Sequence, residues 1–183
     1  KIICGKGDAM GGIVCSSEKL KKVLFKDGLM SLGAVMTSQV AELMTQRMES
    51  YFQRTAKIAD EMKVLYKYLK NNPKVAQVHY PWDLDSAGNW TEHSDYKFPV
   101  GLLSFELKVK DQTQMEIFAD SLILVKKGVS YGSSEALIIP SILFLKKGET
   151  ATFPLGICRF SIGEQRAIDV IKDIESALEK SKI

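Results

Sequence analysis

Histidine is almost absent from this chain: His79 and His93 are the only two among 183 residues. They sit apart and near no cysteine pair, so the ligand spacing of a zinc site is missing. Cysteine is scarce as well. Cys4, Cys15 and Cys158 are odd in number and lack Cys-x-x-Cys spacing, which excludes a disulfide framework and fits reduced, mostly buried thiols in a cytosolic protein. No apolar run approaches the length of a membrane span, and Ile138 to Leu145 is far too short. Neither sign of charge dominates: the net charge is +3 with the basic residues dispersed, which argues against nucleic acid as the main partner. There is no internal repeat and no low-complexity tract. The opening residues Lys1-Ile2-Ile3-Cys4-Gly5 lack the extended apolar core of a signal peptide. No initiator Met stands there either, as expected at a cut boundary, a processing site or a continuation upstream. What is present is an ordinary globular composition, 45% hydrophobic and 26% charged. Its length allows one good core, or one domain plus part of a neighbour.

Periodicity organises most of the chain. Gly12 to Ser16 reads as a short apolar strand, followed by a small helix across Ser17 to Lys26. The strongest signal runs from Val40 to Lys70, where Leu43, Met44, Tyr51, Phe52, Ala59, Met62, Leu65, Tyr66 and Leu69 recur at threes and fours. That spacing predicts one buried face of a single long helix, stopped by Asn71-Asn72-Pro73. Val75 to Tyr80 reads as a strand, and the polar stretch from Trp82 to Pro99 as a surface excursion or a loop bordering a site. Gly101 to Leu107 alternates as a half-buried strand does. Gln112 to Leu122 reads as a helix, Leu122 to Val125 and Gly156 to Ile162 as strands, and the residues from Ala167 to Leu178 as a final amphipathic helix. The pattern is α+β: a small sheet covered by helices, preceded by part of something else.

Short motifs in a fixed order carry a more specific signal. Lys1, Gly5, Asp8 and Gly12 come first. Ser31-Leu32-Gly33-Ala34-Val35, Arg47-Met48-Glu49 and Asn72-Pro73-Lys74-Val75 through His79-Tyr80-Pro81 follow. Leu103-Ser104-Phe105-Glu106-Leu107, Val129-Ser130-Tyr131-Gly132 and Arg159-Phe160-Ser161-Ile162-Gly163 complete the series. Together they resemble the pyridoxal-phosphate enzymes of cysteine and methionine metabolism, the cystathionine and methionine gamma-lyase group, over nearly the whole chain. The resemblance implies the C-terminal part of a fold-type I pyridoxal-phosphate-dependent transferase fold, α/β overall with an α+β C-terminal domain. It divides the chain into residues 1–38 as the end of the large cofactor-binding domain, 39–71 as a long interdomain helix and 72–183 as the C-terminal α/β domain. A homo-oligomer, a dimer of dimers, and a cytoplasmic location are also implied.

The resemblance assigns chemistry to four positions. Lys1 would bond to the aldehyde of pyridoxal 5'-phosphate and, once displaced by a substrate amine, move protons at the substrate carbons. Read alone, it is a solvated terminal charge. Arg159 would grip the substrate α-carboxylate through two parallel hydrogen bonds; the other reading is a structural salt bridge to a buried acid. Ser130 would contact the cofactor lysine and help hold that carboxylate, or is a turn serine. Val129 stands where relatives that handle cystathionine often carry Glu. Its apolar side chain cannot pair a distal ammonium, which tilts substrate toward a small thioether or thiol amino acid, unless it is simply a core valine. Gly5, Gly11 and Gly12 would let the backbone turn tightly near the cofactor and Asp8 would orient the loop; the other reading is that they are purely structural.

Departures are equally visible. Lys6 replaces the family histidine, and the chain is shorter than the family between Thr37 and Arg47 by roughly two helical turns. The Arg159 motif lacks one residue before Glu164, and Ile139-Pro140-Ser141-Ile142-Leu143-Phe144-Leu145 replaces a polar family stretch. In the family, the aspartate on the pyridine nitrogen, the stacked aromatic ring and the phosphate-binding turn precede the lysine. They are therefore expected from a longer polypeptide or another chain; otherwise these residues by themselves are inert. The implied function is a carbon–sulfur lyase acting on a small sulfur amino acid by β- or γ-elimination. The alternatives are a cystathionine or homocysteine synthase, and a non-catalytic homologue or isolated interaction domain.

Overall fold

The long apolar stripe between Val40 and Lys70 forms two helices, α2 (Ser38–Met48) and α3 (Tyr51–Asn71). The helical ladder lapses at Glu49 and Ser50, where the Ser50 hydroxyl donates to the Arg47 carbonyl at 3.2 Å. A serine hydroxyl competes with the backbone for such carbonyls, and apolar periodicity does not register that competition. The computed structural model describes residues 1–33, 35–92, 99–145 and 151–183. Within it the chain divides into two compact units, Lys1–Tyr51 and Phe52–Ile183.

The first unit has little regular structure before α2. Helix α1 (Glu18–Val23) is capped by the Ser17 hydroxyl, which accepts from the Leu20 amide, and leads into a π-helical segment, Leu24–Ser31. Gly12 to Ser16 does not form the expected strand. A strand requires a hydrogen-bonded neighbour, and among the described residues this stretch pairs with none; Ile13 and Val14 are 66% and 74% exposed. The unit's small core is Cys4, Ala9 and Met44, with Ile3, Met36, Val40 and Leu43 packed around them.

The second unit is a sheet covered by helices. Strands β1 (Val75–His79), β2 (Leu102–Leu107), β3 (Lys126–Lys127), β4 (Leu137–Pro140) and β5 (Ile157–Ser161) join in the order β1-β2-β5-β4-β3. All neighbours are antiparallel except the parallel β3–β4 pair. Alternation assigns the faces. Leu103, Phe105, Leu107, Ile138, Cys158 and Phe160 point into the core. There they meet Met62, Leu65 and Leu69 of α3, Met115 and Phe118 of α4 (Gln112–Ser121), and Val170, Ile174 and Leu178 of α5 (Ala167–Lys180). Burying one such side chain contributes about 1.5–3 kcal/mol, so the core holds the sheet flat against its helices. Asp111 caps α4 by accepting from the Gln114 amide at 2.9 Å.

One expectation fails in this unit, and one strand carries no signal in the sequence. Leu122 to Val125 is not a strand, because its amides are already taken: Ile123, Leu124 and Val125 all donate to the Asp173 carboxylate of α5 at 2.9 Å. Pairing begins only at Lys126, whose amide donates to the Ala136 carbonyl at 2.9 Å. The apolar stretch from Ile138 to Leu145, too short for a membrane span, supplies most of strand β4 and then a 3-10 turn, Ser141–Phe144. A short unbroken apolar run has no period by which to recognise a buried strand. Among the described residues, no helix is long and apolar enough to cross a membrane.

Candidate active-site residues

Lys1 and the three other assigned residues lie in different compact units and are taken in turn. The Lys1 carbonyl accepts from the Gly5 amide at 2.7 Å, closing a turn around a half-buried lysine. Gly5 continues with φ +79, a left-handed backbone that glycine adopts without strain. The segment is then tied to α2. Arg47 donates to both carboxylate oxygens of Asp8, at 2.5 and 2.8 Å, and to the Cys4 carbonyl at 3.4 Å. The Arg47 hydrogen bonds hold the Asp8 carboxyl down at about 2. Asp8 thus orients the loop through Arg47, the residue of the Arg47-Met48-Glu49 motif that reaches it.

Arg159 occupies the middle of β5, with Ser104 of β2 and Ile139 of β4 as its register partners. Its neighbours Cys158 and Phe160 are fully buried, so alternation turns the arginine to the other face of the sheet. There the guanidinium is held from two sides. One Nη2–H donates to the Val129 carbonyl at 2.7 Å, and the Tyr131 ring lies with its centroid 5.4 Å from Cζ, within the range of cation–π attraction. Among the described residues no carboxylate pairs with Arg159. A guanidinium has five N–H donors, so most remain available to a ligand.

Val129, Ser130 and Tyr131 belong to the loop between β3 and β4. Val129 is 73% exposed, which removes the core-valine reading; its backbone, rather than its side chain, is engaged. Ser130 is half-buried. The far end of the loop is clamped against the end of β5. There the Ser134 carbonyl accepts from the Glu164 amide at 2.9 Å and from Gln165 Nε2 at 3.3 Å. Gly163 makes this closeness feasible: its φ is +62, and a Cβ there would stand 2.5 Å from the Ser134 and Glu135 carbonyl oxygens. Tyr131 appears in the sequence only as part of the Val129-Ser130-Tyr131-Gly132 motif, where an aromatic beside a glycine reads as a turn residue. The signal was its two-residue offset from Val129, in a motif that the arginine also engages.

The same sheet face carries a second polar pair, with His79 Nε2 2.6 Å from Glu106 Oε1. His93 lies outside the described residues. Among those described, no cluster of three or more histidine, cysteine or acidic residues could hold a metal. Cys4 and Cys158 are buried and Cys15 is exposed; burial pushes the Cys158 thiol pKa well up, which keeps it in the unreactive thiol form.

These placements can be set beside known proteins. A family model described as Cys/Met metabolism PLP-dependent enzyme matches residues 1–179. The chain is 28% identical over 187 residues to an L-methionine gamma-lyase of Fusobacterium nucleatum subsp. polymorphum, covering 98% of this chain and 47% of that protein. It is 29% identical over 190 residues to a canavanine gamma-lyase of Rhizobium leguminosarum bv. trifolii, covering 98% and 46%. It is 28% identical over 189 residues to a cystathionine beta-lyase of Bacillus subtilis, covering 98% and 47%. The chain therefore spans about half the length of the curated relatives it matches. The structure resembles cystathionine gamma synthase from Xanthomonas oryzae pv. oryzae, with a TM-score of 0.78, 23% identity and coverage of 100% of this chain and 48% of that one. A Campylobacter jejuni structure containing N'-pyridoxyl-lysine-5'-monophosphate aligns with a TM-score of 0.75 and 23% identity, covering 98% and 52%. The fold is that of fold-type I pyridoxal-phosphate enzymes. Lys1, which the resemblance assigns to the aldehyde of such a cofactor, sits on the turn closed by the Gly5 amide.

Proposed function

Because the chain belongs to the Cys/Met metabolism PLP-dependent enzyme family, we propose that it is the C-terminal portion of a carbon–sulfur lyase acting on a sulfur amino acid. Residues 1–38 would close the large cofactor-binding domain, 39–71 the interdomain region and 72–183 the C-terminal domain. The observation that carries the reading is Arg159: a mid-strand guanidinium, fixed by a carbonyl and a ring, without a carboxylate of its own among the described residues. Such a group is matched to an incoming carboxylate.

Each residue has a separable task. Lys1 Nζ would hold the cofactor through its aldehyde carbon. Once displaced by the substrate amine, it would take the proton from the substrate α-carbon. Bound pyridoxal phosphate supplies a sink for the electron pair that this proton leaves behind. Arg159 would hold the α-carboxylate with paired N–H donors, and Ser130 Oγ would donate a further hydrogen bond to it. Val129 would present an apolar, exposed side chain toward the distal part of the substrate, where an ammonium finds no partner. Release of a thiol or thiolate from the β- or γ-carbon, followed by hydrolysis, would give ammonia and a 2-oxo acid. A homo-oligomeric, cytoplasmic enzyme is part of the same proposal.

The test uses the full-length protein. Borohydride reduction of the holoenzyme followed by peptide mass mapping should place the pyridoxyl group on the peptide carrying Lys1; a label on another lysine refutes the assignment. Arg159→Lys should raise KM for the amino acid roughly tenfold to a hundredfold, as loss of a paired charge-assisted contact implies. Unchanged KM would return Arg159 to a structural role. Formation of a thioether product from a thiol acceptor, with no 2-oxo acid, would favour the synthase.

A further inference from the structure

We infer that Tyr131 is a positioning residue for Arg159, setting the plane in which the guanidinium meets a substrate carboxylate. The inference rests on the proposed role of Arg159 as the carboxylate grip. An arginine with a long side chain on an open sheet face samples many rotamers, and holding it still costs entropy. Here two contacts from one short loop restrict it. The Val129 carbonyl takes one Nη2–H at 2.7 Å. That single bond fixes a point but leaves rotation about it. The Tyr131 ring, 5.4 Å from Cζ, supplies the second constraint, because a flat cation held to a ring face cannot rotate freely away from it.

The loop is built to deliver both contacts together. Val129 and Tyr131 are two residues apart, on either side of Ser130. Gly132 follows with φ +77, so the chain turns immediately after the tyrosine. The Ser134 carbonyl is then tied to the Glu164 amide at 2.9 Å and Gln165 Nε2 at 3.3 Å. Tyr131 is itself 46% exposed and has no place in the buried core. Its ring is spent on the arginine rather than on stability.

The experiment compares two unreactive ligands on the full-length holoenzyme: L-norleucine, which has a carboxylate, and pentylamine, the same skeleton without it. Tyr131→Leu should weaken norleucine binding by roughly two- to tenfold and leave pentylamine binding unchanged. Tyr131→Phe, which keeps the ring, should restore norleucine affinity. Equal weakening of both ligands by Tyr131→Leu, or a Phe variant as weak as the Leu variant, overturns the inference. Arg159→Lys separates the two levels. If it abolishes the preference for norleucine while Tyr131→Leu leaves that preference intact, the positioning role alone fails. If neither variant alters the preference, the assignment of Arg159 fails and the inference falls with it.

Discussion

Replacing Asp173 with alanine removes one carboxylate and strands three consecutive backbone donors. Its Oδ2 accepts from Leu124 and Val125 and its Oδ1 from Ile123, all at 2.9 Å. The three amides differ in what happens next. Ile123 is 68% exposed and its amide rehydrates. Leu124 is half-buried, and Val125 is 1% exposed. A buried donor left without a partner costs about 1–3 kcal/mol, and a part-buried one less. The total is therefore about 2–4 kcal/mol, a large share of the 5–15 kcal/mol by which domains are ordinarily stable. Asparagine separates bond geometry from charge. Its single carbonyl oxygen can keep the Leu124 and Val125 amides and give up only the exposed one, so Asp173→Asn should cost about 1 kcal/mol. Both tryptophans, Trp82 and Trp90, lie in the same unit, so their emission follows its unfolding in urea. With a slope of about 2 kcal/mol/M, alanine should lower the midpoint by roughly 1–2 M and asparagine by about 0.5 M. Equal losses for the two variants, or an alanine shift below about 0.3 M, would refute the reasoning.

Two further outcomes follow from the same geometry. A thiol reagent should label the exposed Cys15 in the native protein and reach the buried Cys4 and Cys158 only in denaturant, as peptide mapping would show; native labelling of Cys158 contradicts its burial. Hydrogen exchange in residues 1–51 should show an acid limb from Asp8. Arg47 depresses that carboxyl to about 2, below an unfolded value of about 3.9. The contribution is thus fully present above the unfolded value and is lost as pH falls toward 2. Asp8→Asn should remove that limb, and superimposable acid profiles for the two proteins would count against the linkage.

How much could be read without coordinates differs from element to element. The C-terminal end of α3, both ends of α5, and the strands β1, β2 and β5 lie within a residue or two of where apolar spacing put them. Each presents one face to a single core, and that burial is what imposes the period. The errors share a cause. Ser50 bonds back onto Arg47 and interrupts one helical stripe, Asp173 captures three amides from a distant helix, and the run Gly12 to Ser16 has no strand beside it among the described residues. In each case a partner or its absence, rather than the local pattern, decides the state. The motifs that marked Arg159, Ser130 and Val129 were visible in order, but nothing in them disclosed what surrounds the guanidinium.

By itself the sequence determined the family and the α/β class, and it named the positions proposed to carry the chemistry. Residue type limits what a side chain can do, and motif order survives without coordinates. Only the tertiary structure decided what Arg159 touches. Its two neighbours, Val129 and Tyr131, lie some thirty residues upstream, and the Val129 contact spans 30 positions. They reach it because β4 and β5 pair with Ile139 opposite Arg159 and the loop before β4 folds back to Gly163. That register is set by burial of Ile138 and Phe160 on the opposite face, and a slip of one residue would have turned Arg159 inward.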